Sequence, residues 1–101
     1  MTAAYTSIEG RPESPELTLY GLSFCDHCKD AEQLLRSMGF AFRYLQVDIL
    51  PRKEIIKIKR KIEPAGGKSI IYPVLQIDDV FLYGFDQNIW EQKLRQAAEV
   101  Q

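Results

Sequence analysis

Cysteine is scarce in this chain: its 101 residues hold two, Cys25 and Cys28. No further thiols exist to build a disulfide framework, so the pair points to chemistry rather than to a staple. The lone histidine, His27, lies between them, and Cys-His-Cys offers at most three ligands with the histidine on another face, which argues against a closed zinc site. A dominant charge is missing too, since 13 basic residues stand against 14 acidic ones for a formal charge of −1. No overall field draws the molecule to nucleic acid or to a membrane. Nothing approaches the ~20 apolar residues of a bilayer span, and Met1 to Glu16 lack the basic start and apolar middle of a secretory signal. With 46% hydrophobic and 27% charged residues, the chain fits one modest globular core. The expectation is a monomer in a reducing cytoplasm, with neither nucleic acid nor membrane as partner.

What is present is a dithiol at an informative place. Leu17 to Leu22 reads as a strand, and Asp26 to Met38 puts Ala31, Leu34, Leu35 and Met38 on one helical stripe. Cys25-Asp26-His27-Cys28 therefore falls at a strand-to-helix junction. Free N–H groups and the positive end of the helix dipole stabilise a thiolate there. Cys25 is the expected nucleophile, and Cys28, one turn further in, the resolving thiol. Asp26 and His27 are expected to tune the pair in opposite senses, by a negative charge close to Cys25 and by a positive one when the imidazole is protonated.

The remaining elements follow in order. Residues 1–16, with Pro12 and Pro15 and no periodic pattern, are expected to be a flexible tail to a domain spanning 17–101. Gly39 is a left-handed stop for the first helix, and Ala41 to Val47 is a second strand. Asp48 is a candidate cap for a helix from near Pro51 to about Ile62. Glu63 to Gly67 opens a loop. Val74 to Ile77 and Val80 to Tyr83 form a hairpin around Asp78-Asp79, and Gly84-Phe85-Asp86 leads into a last helix with Ile89, Trp90, Leu94 and Ala97 at helical spacing. The order βαβαββα implies an α/β fold with a mixed four-stranded sheet flanked by helices. The second helix carries Arg52, Lys53, Lys57, Lys59, Arg60 and Lys61 outside an Ile55, Ile58, Ile62 stripe. That face reads as solvated, or as a docking surface for an acidic partner; without interleaved aromatics it gives single-stranded nucleic acid no stacking platform.

Three features, the Cys25–Cys28 dithiol, Tyr72-Pro73 before the hairpin and Gly84-Phe85-Asp86 before the last helix, together resemble the glutaredoxin type of the thioredoxin superfamily, over Leu17 to about Ala98. The resemblance implies a thiol–disulfide oxidoreductase acting on protein disulfides or glutathione mixed disulfides through Cys25 and Cys28. It also implies a cis Tyr72-Pro73 peptide against the dithiol, leaving the Tyr72 backbone free to pair with an extended substrate. Tyr72, Pro73, Gly84, Phe85 and Asp86 are then the substrate-binding residues. Departures matter as well: Asp26-His27 stands where the family commonly has Pro-Tyr, Leu22 where a lysine usually precedes the dithiol, and Gly84-Phe85 where Gly-Gly is usual. These losses leave two electron donors open, glutathione or a thioredoxin reductase-like flavoenzyme. A non-proline residue after Cys25 also keeps an alternative open, an iron–sulfur cluster bridged between two chains. No metal is expected within one chain.

Overall fold

A computed structural model describes residues 6–8 and 15–100. Its centre is a strand, β2 (Leu17–Gly21), buried along its whole length. Such a strand needs apolar or satisfied side chains on both faces, and the sequence supplies them. Leu17 and Leu19 face one side with the helices α1 (Asp26–Ser37) and α3 (Gln87–Val100), while Tyr20 faces the other with α2 (Arg52–Ile62). The Tyr20 hydroxyl donates to Gln76 Oε1 at 2.8 Å, which satisfies its buried polar end.

Strand β3 (Phe42–Gln46) runs parallel to β2, and the hairpin strands β4 (Val74–Ile77) and β5 (Val80–Tyr83) continue antiparallel on the other side. This is the mixed four-stranded sheet with three flanking helices that the residue pattern predicts. A fifth strand adds to it. Thr6–Ile8, β1, pairs antiparallel with β3, giving the order β1-β3-β2-β4-β5. Part of the segment expected to be a tail thus belongs to the sheet, because β3 offers an open edge that backbone groups satisfy whatever their side chains. The rest of that expectation, residues 1–5 and 9–14, lies outside the described residues.

Helix α1 stops where the sequence indicates, with Gly39 at φ 79 and its N–H bonded to Arg36 O at 3.0 Å. The hairpin turn places Asp78 at φ 51, a left-handed position that Asp tolerates better than most residues. Between β3 and α2 the chain makes a short 3-10 turn, Val47–Ile49. Asp48 sits in that turn and does not cap α2, whose N-cap is Pro51 with no side-chain bond. Its carboxylate is used elsewhere, as shown below. Ile62 of α2 is buried while the helix's six basic residues are exposed.

Candidate active site

The C-terminal end of β2, the start of α1, the residues before β4 and the start of α3 meet at one end of the sheet. Cys25 is the N-cap of α1, with extended backbone at φ −162, ψ 106, and its sulfur accepts from the Cys28 N–H at 3.1 Å. A sulfur in that position takes the place of the capping oxygen that helices ordinarily recruit, at the positive end of the dipole. Cys25 and Cys28 form a disulfide with Cα atoms 5.2 Å apart. Their surroundings differ. Cys25 is partly exposed, whereas Cys28 is completely buried.

Gly21 explains how a thiol fits beneath the sheet end. A Cβ at that position would lie 3.2 Å from Cys28 Sγ, 3.3 Å from its Cβ and 3.1 Å from the Tyr44 ring. The strand therefore closes over Cys28 only because residue 21 has no side chain. Sequence reading missed both Gly21 and Tyr44, and the one available signal was a glycine ending an otherwise bulky strand.

The loop into Cys25 is held by Asp48. Its two carboxylate oxygens accept from Ser23 N at 2.8 Å and Ser23 Oγ at 2.5 Å. Those bonds hold the Asp48 carboxyl below the usual aspartate range. Burial raises Tyr72 above the ordinary tyrosine value and the Asp48 charge adds to it; burial also raises Tyr44, with the charges of Glu32 and Asp48 adding and a hydrogen bond to Gln46 opposing. A link across 25 residues leaves no local trace in sequence.

Tyr72 and Pro73 are joined by a cis peptide bond. Tyr72 is half-buried and Pro73 buried. Among the described residues, neither the N–H nor the C=O of Tyr72 has a backbone partner, so both are available to an incoming strand. The Tyr72 hydroxyl is buried with no hydrogen-bond partner. Gly84, at φ 76, donates its N–H to the carbonyls of Ile71 at 3.0 Å and Pro73 at 2.9 Å, and its own carbonyl accepts from Trp90 Nε1 at 3.0 Å. Its positive φ favours glycine, and a Cβ there would press on the Ile71 side chain at 3.2 Å. Phe85 packs edge-on against Trp90 with centroids 5.1 Å apart. Asp86 Oδ1 accepts from Ile89 N at 3.2 Å, so Asp86 caps α3 as its sequence position suggests.

These residues border an open groove of about 440 Å³ lined by His27, Ile71, Tyr72, Tyr83, Gly84, Phe85, Asp86 and Ile89. Four of the five expected substrate-binding residues line it, with His27 but without Asp26, which is exposed in the first turn of α1. Ile89, read as part of the apolar face of the last helix, is instead 49% exposed in the groove wall. No lysine or arginine lines the groove among the described residues.

A disulfide joining a partly exposed and a buried sulfur at a helix start, with a cis-proline just before an inner strand of a mixed sheet, defines a thiol–disulfide redox protein of thioredoxin-like fold. A family model described as Glutaredoxin matches residues 17–82. The chain belongs to the glutaredoxin family. Three solved structures similar to it are archaeal. The glutaredoxin from Methanosarcina mazei Go1 is 26% identical, with a TM-score of 0.75 over 89% of this chain and 86% of that one. The glutaredoxin (grx-1) from Archaeoglobus fulgidus is 28% identical, with a TM-score of 0.71 over 80% and 87%. Methanoredoxin from Methanosarcina acetivorans is 25% identical, with a TM-score of 0.69 over 80% and 85%. Among curated proteins no sequence match is found.

Proposed function

We propose that the protein is a thiol–disulfide oxidoreductase that reduces disulfides in other proteins, with Cys25 as the attacking sulfur and Cys28 as the resolving one. The unequal burial of the pair supports this assignment: only Cys25 is open to an approaching disulfide, while Cys28 is sealed under Gly21. In the reduced protein the Cys25 thiolate attacks a substrate sulfur and expels the other as a thiol. A mixed disulfide results. Cys28 then attacks Cys25, the substrate leaves reduced, and two electrons have passed from the protein dithiol to the substrate disulfide. The Cys28 N–H, already directed at Cys25 Sγ, favours the thiolate.

Asp48 and Ser23 hold the chain just before Cys25, and the open backbone groups of Tyr72 align an extended substrate across the dithiol. Glutathione is a poor match to the groove: it carries two carboxylates and the lining offers no lysine or arginine to meet them. The proposed reductant for the Cys25–Cys28 disulfide is accordingly a protein dithiol, such as that of a thioredoxin reductase-like flavoenzyme.

Single-turnover reduction of a disulfide-bearing protein tests the assignment. Cys25→Ser is expected to abolish reaction, and Cys28→Ser to accumulate a covalent complex through Cys25 that mass spectrometry detects. Reaction persisting in Cys25→Ser would overturn the roles. A coloured dimer on anaerobic purification, bleached by Cys25→Ser, would favour the bridged-cluster reading instead.

A further inference from the structure

The groove beside the dithiol has a charge and a texture that narrow its substrate. Its described lining holds one carboxylate, Asp86, together with His27, and neither Lys29 nor Lys68 is part of it. Phe85 also lines a second hollow between α1 and α3, with Asp30, Gln33, Leu34, Ser37 and Gln87, again without a lysine or arginine among its described lining. Each hollow thus carries one carboxylate, Asp86 or Asp30, and no lysine or arginine among its described lining. Asp86 uses Oδ1 as the α3 cap, which leaves Oδ2 directed to no protein donor among the described residues.

Exposed apolar side chains stand in the groove lining and next to the dithiol. Phe24, next to Cys25, is 94% exposed, Ile71 is 62% exposed and Ile89 is 49% exposed. Large apolar side chains left in water around a reactive pair mark a contact surface. Together with the open backbone of Tyr72, they fit a polypeptide better than a small thiol.

We propose that this groove takes an extended segment of a partner protein whose cysteine is flanked by apolar residues and by a lysine or arginine that faces Asp86, and that it disfavours anionic disulfides such as that of glutathione. The inference rests on the reading of Cys25 as the attacking sulfur. The apolar flanks supply contact, the added strand pairs with Tyr72, and the carboxylate sets the preferred charge. Because Asp86 is exposed, its contribution is that of a surface ion pair, about fivefold in rate.

Two synthetic peptides provide the test, each with one cysteine in a mixed disulfide with 2-mercaptoethanol inside the same apolar frame, one flanked by lysines and the other by glutamates. The pre-reduced protein is mixed with each, and its oxidation is followed by acid quench and mass. Cys25 forms the mixed disulfide, Cys28 closes the internal one, and both substrate sulfurs leave as thiols. The lysine peptide is expected to react about fivefold faster at low salt, with the ratio shrinking as salt is added. Asp86→Asn, which keeps an oxygen for the α3 cap, should bring the two rates together, and Asp86→Lys should invert their order. Glutathione disulfide should be slower than the lysine peptide. Equal rates in the wild type, a ratio unchanged in Asp86→Asn, or faster reaction with glutathione disulfide would overturn the substrate preference while leaving the oxidoreductase intact. Failure to oxidise with any of the three would overturn both.

Discussion

Gly21→Ala tests the claim that the sheet end closes directly over the resolving sulfur. The added methyl would meet Tyr44 at 3.1 Å and two atoms of Cys28 at 3.2 and 3.3 Å. Overpacking of this kind costs ~1–3 kcal/mol, while alanine restricts the unfolded chain and returns ~0.4–1 kcal/mol. The net expectation is a loss of about 1 kcal/mol, or roughly 5 °C in Tm for a domain of this size. Tyr44 is half-buried and can swing aside, but Cys28 is fully buried and tied to Cys25. The oxidised protein should therefore lose more than the reduced one, in which the sulfur is free to choose another rotamer. Urea unfolding of both forms measures this, with the single, buried Trp90 as the fluorescent probe. In a Tyr44→Ala background most of the cost should persist. An oxidised Gly21→Ala protein as stable as the wild type would refute the packing argument.

Further outcomes follow from groups around the site. Tyr72→Phe removes a buried hydroxyl without a partner and is expected to raise stability by about 1 kcal/mol, whereas Tyr83→Phe removes the bond its hydroxyl donates to Ile62 O at 2.7 Å and should cost about 1 kcal/mol. Parallel urea titrations that show both variants moving in the same direction would contradict this pair. The Asp48 carboxyl is held below its ordinary value by Ser23, so its contribution to stability is complete above the unfolded value near ~3.9 and fades as pH falls through the lower folded one. A stability gap between wild type and Asp48→Asn that is present at neutral pH and closes in acid is the expected result. A gap independent of pH would mean that the charge is not what links Asp48 to Ser23.

Much of this arrangement was legible from local pattern. The switch from strand to helix at Cys25, the left-handed stop at Gly39, the hairpin around Asp78-Asp79 and the cap at Asp86 each depend on a few neighbouring residues, and the structure has them where the pattern puts them. Readings that failed depended on distant partners. Asp48 looked like the cap of the helix that follows it, yet its oxygens go to Ser23. Ile89 belongs to the apolar pattern of Trp90, Leu94 and Ala97 but lies in the groove wall. Thr6–Ile8 has no strand pattern of note and pairs because β3 leaves an edge open.

The order of residues along the chain determined by itself that this protein carries a pair of sulfurs at the mouth of a helix, since spacing, capping and periodicity act over a turn or a strand. Cys28 already read as the inner sulfur and Asp86 as a site residue; only tertiary structure decided what seals the one and which other residues line the groove with the other. Those properties arise when Gly21 is laid over Cys28 and when α3 brings Asp86 beside Tyr72. Burial and electrostatic surroundings belong to neighbours in space, and no local pattern encodes them.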